Sequence, residues 1–279
     1  MNIPSITIQQ LLEAGGHLGH KTFRWNPKMK QYIFGKKDSI HIIDLVQTLE
    51  LTKEALQKVH DVISNGGKIL FVSTKKQAAE SIANLAKETS QYYVNYRWLG
   101  GMLTNWKTIS NSIKKLKQLD ESLKGENRGF TKKEILKMGV KRDKLERSLG
   151  GIIEMKNLPD LIFVIDTNYE QLAIKEATKL KIPIISILDT NSDPTNVDYP
   201  IPGNDDARRA INLYCDLLKQ TILNAKKENE AANEKIEEIE TKRDEIKTKK
   251  KEEKKVRLID KIKEKIVKKV SKKAKPKEK

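Results

Sequence analysis

Three short, nearly uninterrupted apolar runs constrain this chain more than any other feature: Lys68 to Val72, Leu161 to Ile165 and Ile182 to Leu188. Strands that are apolar on both faces belong in parallel sheets covered by helices on either side. Helical patterns stand between them. Asp44 opens the first, with Gln47 placed for a capping box and Leu45, Leu49, Leu56, Val59 and Ile63 as its buried face. Ser73-Thr74 opens a second that runs to about Lys87, with Gln77 at the capping-box position, and a third runs from about Tyr169 to Leu180. This order predicts an α/β fold with parallel strands and right-handed crossovers.

The alternation is interrupted at Arg97-Trp98-Leu99-Gly100-Gly101-Met102-Leu103-Thr104-Asn105-Trp106. Paired glycines permit positive φ or a close backbone approach, and two of the three tryptophans flank them. The stretch reads as a corner where a helical arm leaves the α/β body, or else as an ordinary buried turn. Beyond it, Trp106, Ile109, Ile113, Leu116, Leu119 and Leu123 form one apolar seam. Gly125 to Gly129 breaks the helix. Thr131 and Glu134 form a second capping box, with Phe130 placed to staple Ile135. Ile135, Met138, Leu145, Leu149 and Ile152 form the facing seam, so an antiparallel, coiled-coil-like hairpin is predicted.

Charge follows the same division. The chain carries 55 Lys+Arg against 38 Asp+Glu, net +17. Residues 44–94 are balanced and 158–225 are net −4, whereas residues 1–43 are +4, 95–157 are +8 and 226–279 are +9. Positive charge segregated into an N-terminal arm, a helical arm and a tail points to a polyanion, most simply nucleic acid. Solvated lysine-rich faces are the bland alternative. One cysteine, Cys215, on an apolar helical pattern fits a reducing compartment without disulfides. No apolar run has the length of a membrane span, and no signal segment is expected.

Near the N-terminus, His17 and His20 follow a glycine-rich turn, and Lys21, Arg24, Lys28 and Lys30 interleave with Phe23 and Trp25 around Asn26. Cations fix phosphates while flat rings stack on bases. The histidine spacing invites a metal reading, but no further soft ligand accompanies it, which favours a structural role. Lys75 and Lys76 fall in the first turn of their predicted helix, against its dipole, as if to meet an anion. No phosphate-loop motif occurs. Asp166 and Asp189 sit at strand ends, where open sheets place ligands, but turn and cap duties explain them as well. Asp189, Asp193, Asp198, Asp205 and Asp206 match no known ion-binding loop. Asn191 to Gly203, with three prolines, reads as a stiff surface loop, followed by a last core helix from Asp205 with Arg208 and Arg209 in its first turns.

Gly15-Gly16-His17-Leu18-Gly19-His20, Trp25-Asn26-Pro27-Lys28-Met29, the corner Arg97 to Asn105, Leu149-Gly150-Gly151-Ile152 and Asn157-Leu158-Pro159-Asp160 together resemble the bacterial family of small ribosomal subunit protein two, over about residues 2–225. The resemblance implies a flavodoxin-like body (1–105 and 157–225) and a coiled-coil hairpin (106–156); outside the match, residues 226–279 carry too few apolar residues to fold alone and read as a disordered or partly helical basic tail. It implies a cytoplasmic structural protein of the small subunit, placed between head and body. Its partners would be rRNA and other ribosomal proteins, including the large mRNA-binding one whose docking supports initiation. It implies no catalytic residue, cofactor, small-molecule substrate or membrane. The expected RNA contacts are His17, His20, Lys21, Arg24, Trp25, Asn26, Lys28, Lys30, Lys75, Lys76, Arg97, Trp98, Asn105, Arg208 and Arg209. Metal ligands are not assigned, and a divalent ion near His17/His20 or Asp189/Asp205 stays open.

Overall fold

A computed structural model describes residues 4–124 and 131–229. The chain divides into two units, residues 1–226 and 227–279, and the elements that follow belong to the first. The expected break at Gly125 to Gly129, the staple by Phe130 and residues 230–279 of the basic tail lie outside the described residues, while residues 226–229, assigned to the tail, continue the preceding helix.

A short helix α1 (Ile8–Glu13) is closed at its start by a capping box between Thr7 and Gln10. Strands β1 (Leu18–Lys21), β2 (Ile33–Lys37) and β3 (Ile40–Ile43) form a small antiparallel sheet in the order β1-β3-β2. The hairpin between β2 and β3 is tight. Gly35, Lys36 and Lys37 pair within the ladder, and only Asp38 and Ser39 turn, both at positive φ as a two-residue hairpin requires.

The body follows: α2 (Leu45–Ser64), β4 (Ile69–Val72), α3 (Ala79–Glu88), β5 (Tyr92–Val94), β6 (Leu161–Ile165), α6 (Gln171–Leu180), β7 (Ile184–Leu188), β8 (Tyr199–Pro202) and a helix α7 over residues 208–229, all but its last three residues in the first unit. Between β5 and β6 the chain makes α4 (Trp106–Lys124) and α5 (Lys132–Leu149). The five body strands are all parallel, in the order β5-β4-β6-β7-β8. From β4 the chain steps out to β5 and then returns to the other side, so the order reverses between β4 and β6. This is the flavodoxin-like arrangement.

The strand alternation sorts the core into two layers. Ile69, Phe71, Leu161, Phe163 and Ile165 meet Leu56, Val59, Ile63, Ile82, Tyr214 and Leu218. Leu70, Val72, Ile162 and Val164 face the other way, onto Trp98, Met102, Ile109, Ile152 and Ile174. The arm helices therefore root in the second layer. Ile109 and Ile113 share it with Leu145 and Leu149, while Asp120 reaches Arg142 at 3.8 Å, the order of an antiparallel pair. Thr131 and Glu134 form the expected capping box. These contacts establish the pairing of the two helices but not a coiled-coil supercoil.

Two expectations change. The stretch Asn191 to Gly203 is not all surface loop: residues Tyr199–Pro202 form the edge strand β8, with Ile201, Pro202 and Gly203 buried. An edge position tolerates the missing donors of Pro200 and Pro202. Helix α3 begins at Ala79, with no side-chain cap, rather than at Ser73-Thr74. The residues between take another path, described below.

Two glycines test the packing in opposite directions. A Cβ on Gly151 would overlap the Tyr93 carbonyl, where the turn after α5 lies on β5. Gly151→Ala should cost about 1–3 kcal/mol and lower the melting temperature by several degrees. Gly139, inside α5, has open space around it. Gly139→Ala should instead add about 0.5–1 kcal/mol, and thermal melts of the two variants would separate the effects.

Candidate nucleic-acid interface

In an open parallel sheet the crevice beyond the strand ends at the order reversal is where a ligand would enter. Here the chain fills it. After β4 the chain passes through Ser73 and Thr74 outside any helix or strand, and the Thr74 amide donates to Glu170 Oε1 at 2.6 Å. Lys75 then turns inward. Its side chain is 7% exposed, and Nζ lies 2.8 Å from Asp205 Oδ1 and 3.3 Å from Asp166 Oδ2, and also reaches Asp206. Burial works against this ammonium, but Asp205, Asp206 and Asp166 outweigh it and raise its pKa. Asp205 feels the reverse balance: burial, then Asp166 and Asp189, push its carboxyl pKa up against the pull of Lys75. Asp166 sits at positive φ, and its Oδ1 accepts from the Asn168 amide at 2.9 Å, the turn duty foreseen for it.

The N-terminal arm is fastened to the same strand ends. The Gly19 Cα hydrogen faces Thr190, with no room for a Cβ, and the His20 amide donates to Thr190 Oγ1. His20 Nδ1 lies 2.9 Å from Asp189 Oδ2 and Nε2 lies 3.4 Å from Asp206 Oδ2. The hydrogen bond to Asp189 raises the imidazole pKa against a smaller opposing effect of burial. The Asn26 amide donates to the Thr190 carbonyl, and Lys28 Nζ reaches Asp193 Oδ2 at 2.9 Å and Thr195 Oγ1 at 2.8 Å. His20, Asp189, Asp205 and Asp206 bring one ligand atom each within 4.8 Å of one another, a nitrogen–oxygen donor set that a small divalent cation could use. His17 does not join this group; its Nδ1 is buried without a partner.

The corner before α4 is organised by a residue the sequence did not single out. Glu176, on α6, accepts from Trp98 Nε1 at 3.1 Å, the Gly101 amide at 2.8 Å, and the Leu103 amide, Thr104 amide and Thr104 Oγ1 at 3.0 Å each. Gly101 takes φ +82, which wraps the backbone amides around the carboxylate. Burial works against the charged Glu176, yet these donors hold its pKa below the ordinary carboxylate range. Trp98 is consequently buried, and Arg97 and Asn105 are left exposed on either side.

The expected RNA contacts thus fall into two sets. Lys21, Arg24, Lys30, Lys76, Arg97, Asn105, Arg208 and Arg209 are exposed. Trp25 is half-open, its ring 5.4 Å from that of His41, and Arg24 lies 5.5 Å from the Phe23 ring, itself 75% exposed. Lys75 and Trp98 are not on the surface. Both face inward, Lys75 because three carboxylates attract it and Trp98 because the indole fills the second core layer while its N–H binds Glu176. His20, Asn26 and Lys28 are fastened to the 189–195 loop. The corner's glycine pair was the available signal for Glu176, but nothing local pairs Gly101 with a residue seventy-five positions away.

A flavodoxin-like body whose strand-end crevice is filled by Lys75 and its aspartates, with the other cations turned outward, is the arrangement expected of a scaffold protein. Comparison with known proteins agrees. The family model described as "Ribosomal protein S2" matches residues 11–225. Two relatives bear the name "Small ribosomal subunit protein uS2". One, from Parvibaculum lavamentivorans, is 56% identical over 233 residues, 84% of this chain and 92% of its own. The other, from Gluconobacter oxydans, is 60% identical over 223 residues, 80% and 84% respectively. The chain belongs to the ribosomal protein S2 family: it is a structural protein of the small ribosomal subunit and not an enzyme. Among the described residues no helix is long and apolar enough to cross a membrane.

The Lys28 clamp makes a titration prediction. The Thr195 hydroxyl and Lys28 hold the Asp193 carboxyl down at about 2, against an ordinary 3.8. A depressed carboxylate stabilises the fold above its ordinary pKa, and that contribution is lost as pH falls through about 2. In Lys28→Ala the Asp193 carboxyl should titrate part of the way back toward 3.8, as read by carboxylate carbon shifts in NMR. An unmoved titration would mean the clamp is absent in solution.

Proposed function

We propose that this chain binds small-subunit rRNA through two exposed basic surfaces and so ties RNA to neighbouring ribosomal proteins. The first surface is the N-terminal arm, where Lys21, Arg24 and Lys30 surround Phe23 and Trp25. The second is the corner with Arg97 and Asn105. Lys76, Arg208 and Arg209 add positive charge near the strand ends. The observation that carries the reading is the outward placement of these cations and rings on a body whose ligand crevice is closed. Phosphates would be neutralised by the cations, while Trp25 and Phe23 give shape-specific contact. His20, Asn26 and Lys28 act less by touching RNA than by holding the arm in place. The cellular setting is the cytoplasm, and the position in the subunit, as the family resemblance implies, is between head and body.

A specific observation gives the arm a different role. Leu136 and Val140, one turn apart on α5, are 70% and 69% exposed, and they lie on the face opposite the seam residues Leu145 and Leu149. We assign that face to a protein neighbour, in keeping with a part in docking the large mRNA-binding ribosomal protein.

Association with small subunits lacking this protein should weaken steeply between about 50 and 200 mM salt. Arg24→Ala and Lys30→Ala should each reduce the slope of log affinity against log salt by about one. Sedimentation with subunits across a salt series checks both. Association indifferent to salt would overturn the RNA reading.

A further inference from the structure

We propose that Glu176 is the positioning residue of the corner, fixing the directions in which Arg97 and Asn105 meet RNA. This rests on the RNA-binding reading above.

Five donors from a seven-residue stretch converge on one carboxylate: Trp98 Nε1, the amides of Gly101, Leu103 and Thr104, and the Thr104 hydroxyl. A loop amide that loses its partner in a half-buried place must find water or rearrange. Here three consecutive-to-near amides share a single acceptor, so the corner's path is set by where α6 places that acceptor. Helix α6 is itself fixed, with Ala173, Ile174 and Ala177 buried in the second core layer. The rigid sheet therefore dictates the corner through one side chain.

Arg97 precedes the first of these donors and Asn105 follows the last, and both are exposed. The Asn105 amide donates to the Gly101 carbonyl, and its side chain accepts from Thr108 in the first turn of α4. The same anchor thus sets the start of the arm. A carboxylate suits this task because it offers only lone pairs. An amide of equal size would turn an NH2 group toward donors and could accept at one oxygen only. Charge-assisted bonds are also the strong ones.

The test is a double-mutant cycle between Glu176→Gln and Arg97→Ala, read as affinity for small subunits lacking this protein, with unfolding followed in the free protein. Glu176→Gln should remain folded with a lowered melting temperature, and should weaken association about tenfold, the scale of one charge-assisted contact. Its salt slope should fall by about one, which a loss of stability alone would not produce. Arg97→Ala should also cost about tenfold, but adding it to Glu176→Gln should cost little more, because the arginine is already misplaced. Additive losses, or a Glu176→Gln variant that associates like the wild type, would overturn the proposal while leaving RNA binding intact. Failure of the wild-type protein to associate in a salt-dependent way would instead overturn the reading on which it rests. Should Glu176→Gln not fold, Trp98→Phe and Thr104→Val each remove one side-chain donor and keep the packing. Together they should still reduce the further cost of Arg97→Ala, and full additivity there would overturn the proposal.

Discussion

The buried meeting of Lys75 with Asp166 and Asp205 is the interaction on which the arrangement depends. It joins three chain segments that are far apart in sequence: the loop after β4, the end of β6 and the lead into α7. Each of these partners is nearly or wholly buried, so each depends chiefly on the others for its charge. A buried ion pair adds little net stability over an apolar isostere, but removing one partner leaves an uncompensated charge at a cost of about 3–5 kcal/mol. The cluster therefore acts more as a specification than as a source of stability. It requires the strand ends, α3 and α7 to sit in one register.

That register has a functional consequence. A flavodoxin-like sheet offers its ligand crevice where β4 and β6 part, and here Lys75 enters from within the chain while Glu170 accepts the Thr74 amide. The space an enzyme of this architecture would give to a substrate is taken by the protein's own ion pairs. Next to it, His20 and Thr190 tie the N-terminal arm to the same strand ends. What a catalytic fold would keep open for chemistry, this one uses as a fastening point for the N-terminal arm.

How far this was legible depends on the range of the interactions. The buried strands β4, β6 and β7 announced themselves by continuous apolar runs, and the Thr131–Glu134 capping box by a three-residue spacing. Both are local signals. Strand β8 was hidden because Pro200 and Pro202 mimic a loop, and only its place at the sheet edge makes them tolerable. Lys75 and Lys76 are identical neighbours in the sequence, yet one is 7% exposed and the other faces solvent. Their difference is set by Asp166 and Asp205, ninety or more positions away. Trp25 and Trp98 were likewise indistinguishable as aromatic residues beside cations until the core claimed one of them. Glu176 carried no motif, since a carboxylate on a helix is ordinary until a distant loop closes over it.

These burials also alter what the charge count means. Residues 158–225 hold ten acidic residues against six basic ones, which reads as an acidic segment unsuited to RNA. Yet Asp166, Glu170, Asp189 and Asp205 are buried, and Glu176 is enclosed by its five donors. Arg208 and Arg209 remain exposed, as do Lys175, Lys179 and Lys181. The face this segment shows to solvent is therefore less negative than its composition, because five of the ten carboxylates are engaged inside while five of the six cations are exposed. Net charge by segment bears on a polyanion partner only after each charge is placed: here five of the ten acids are engaged in holding the fold together, while Arg208, Arg209, Lys175, Lys179 and Lys181 face solvent.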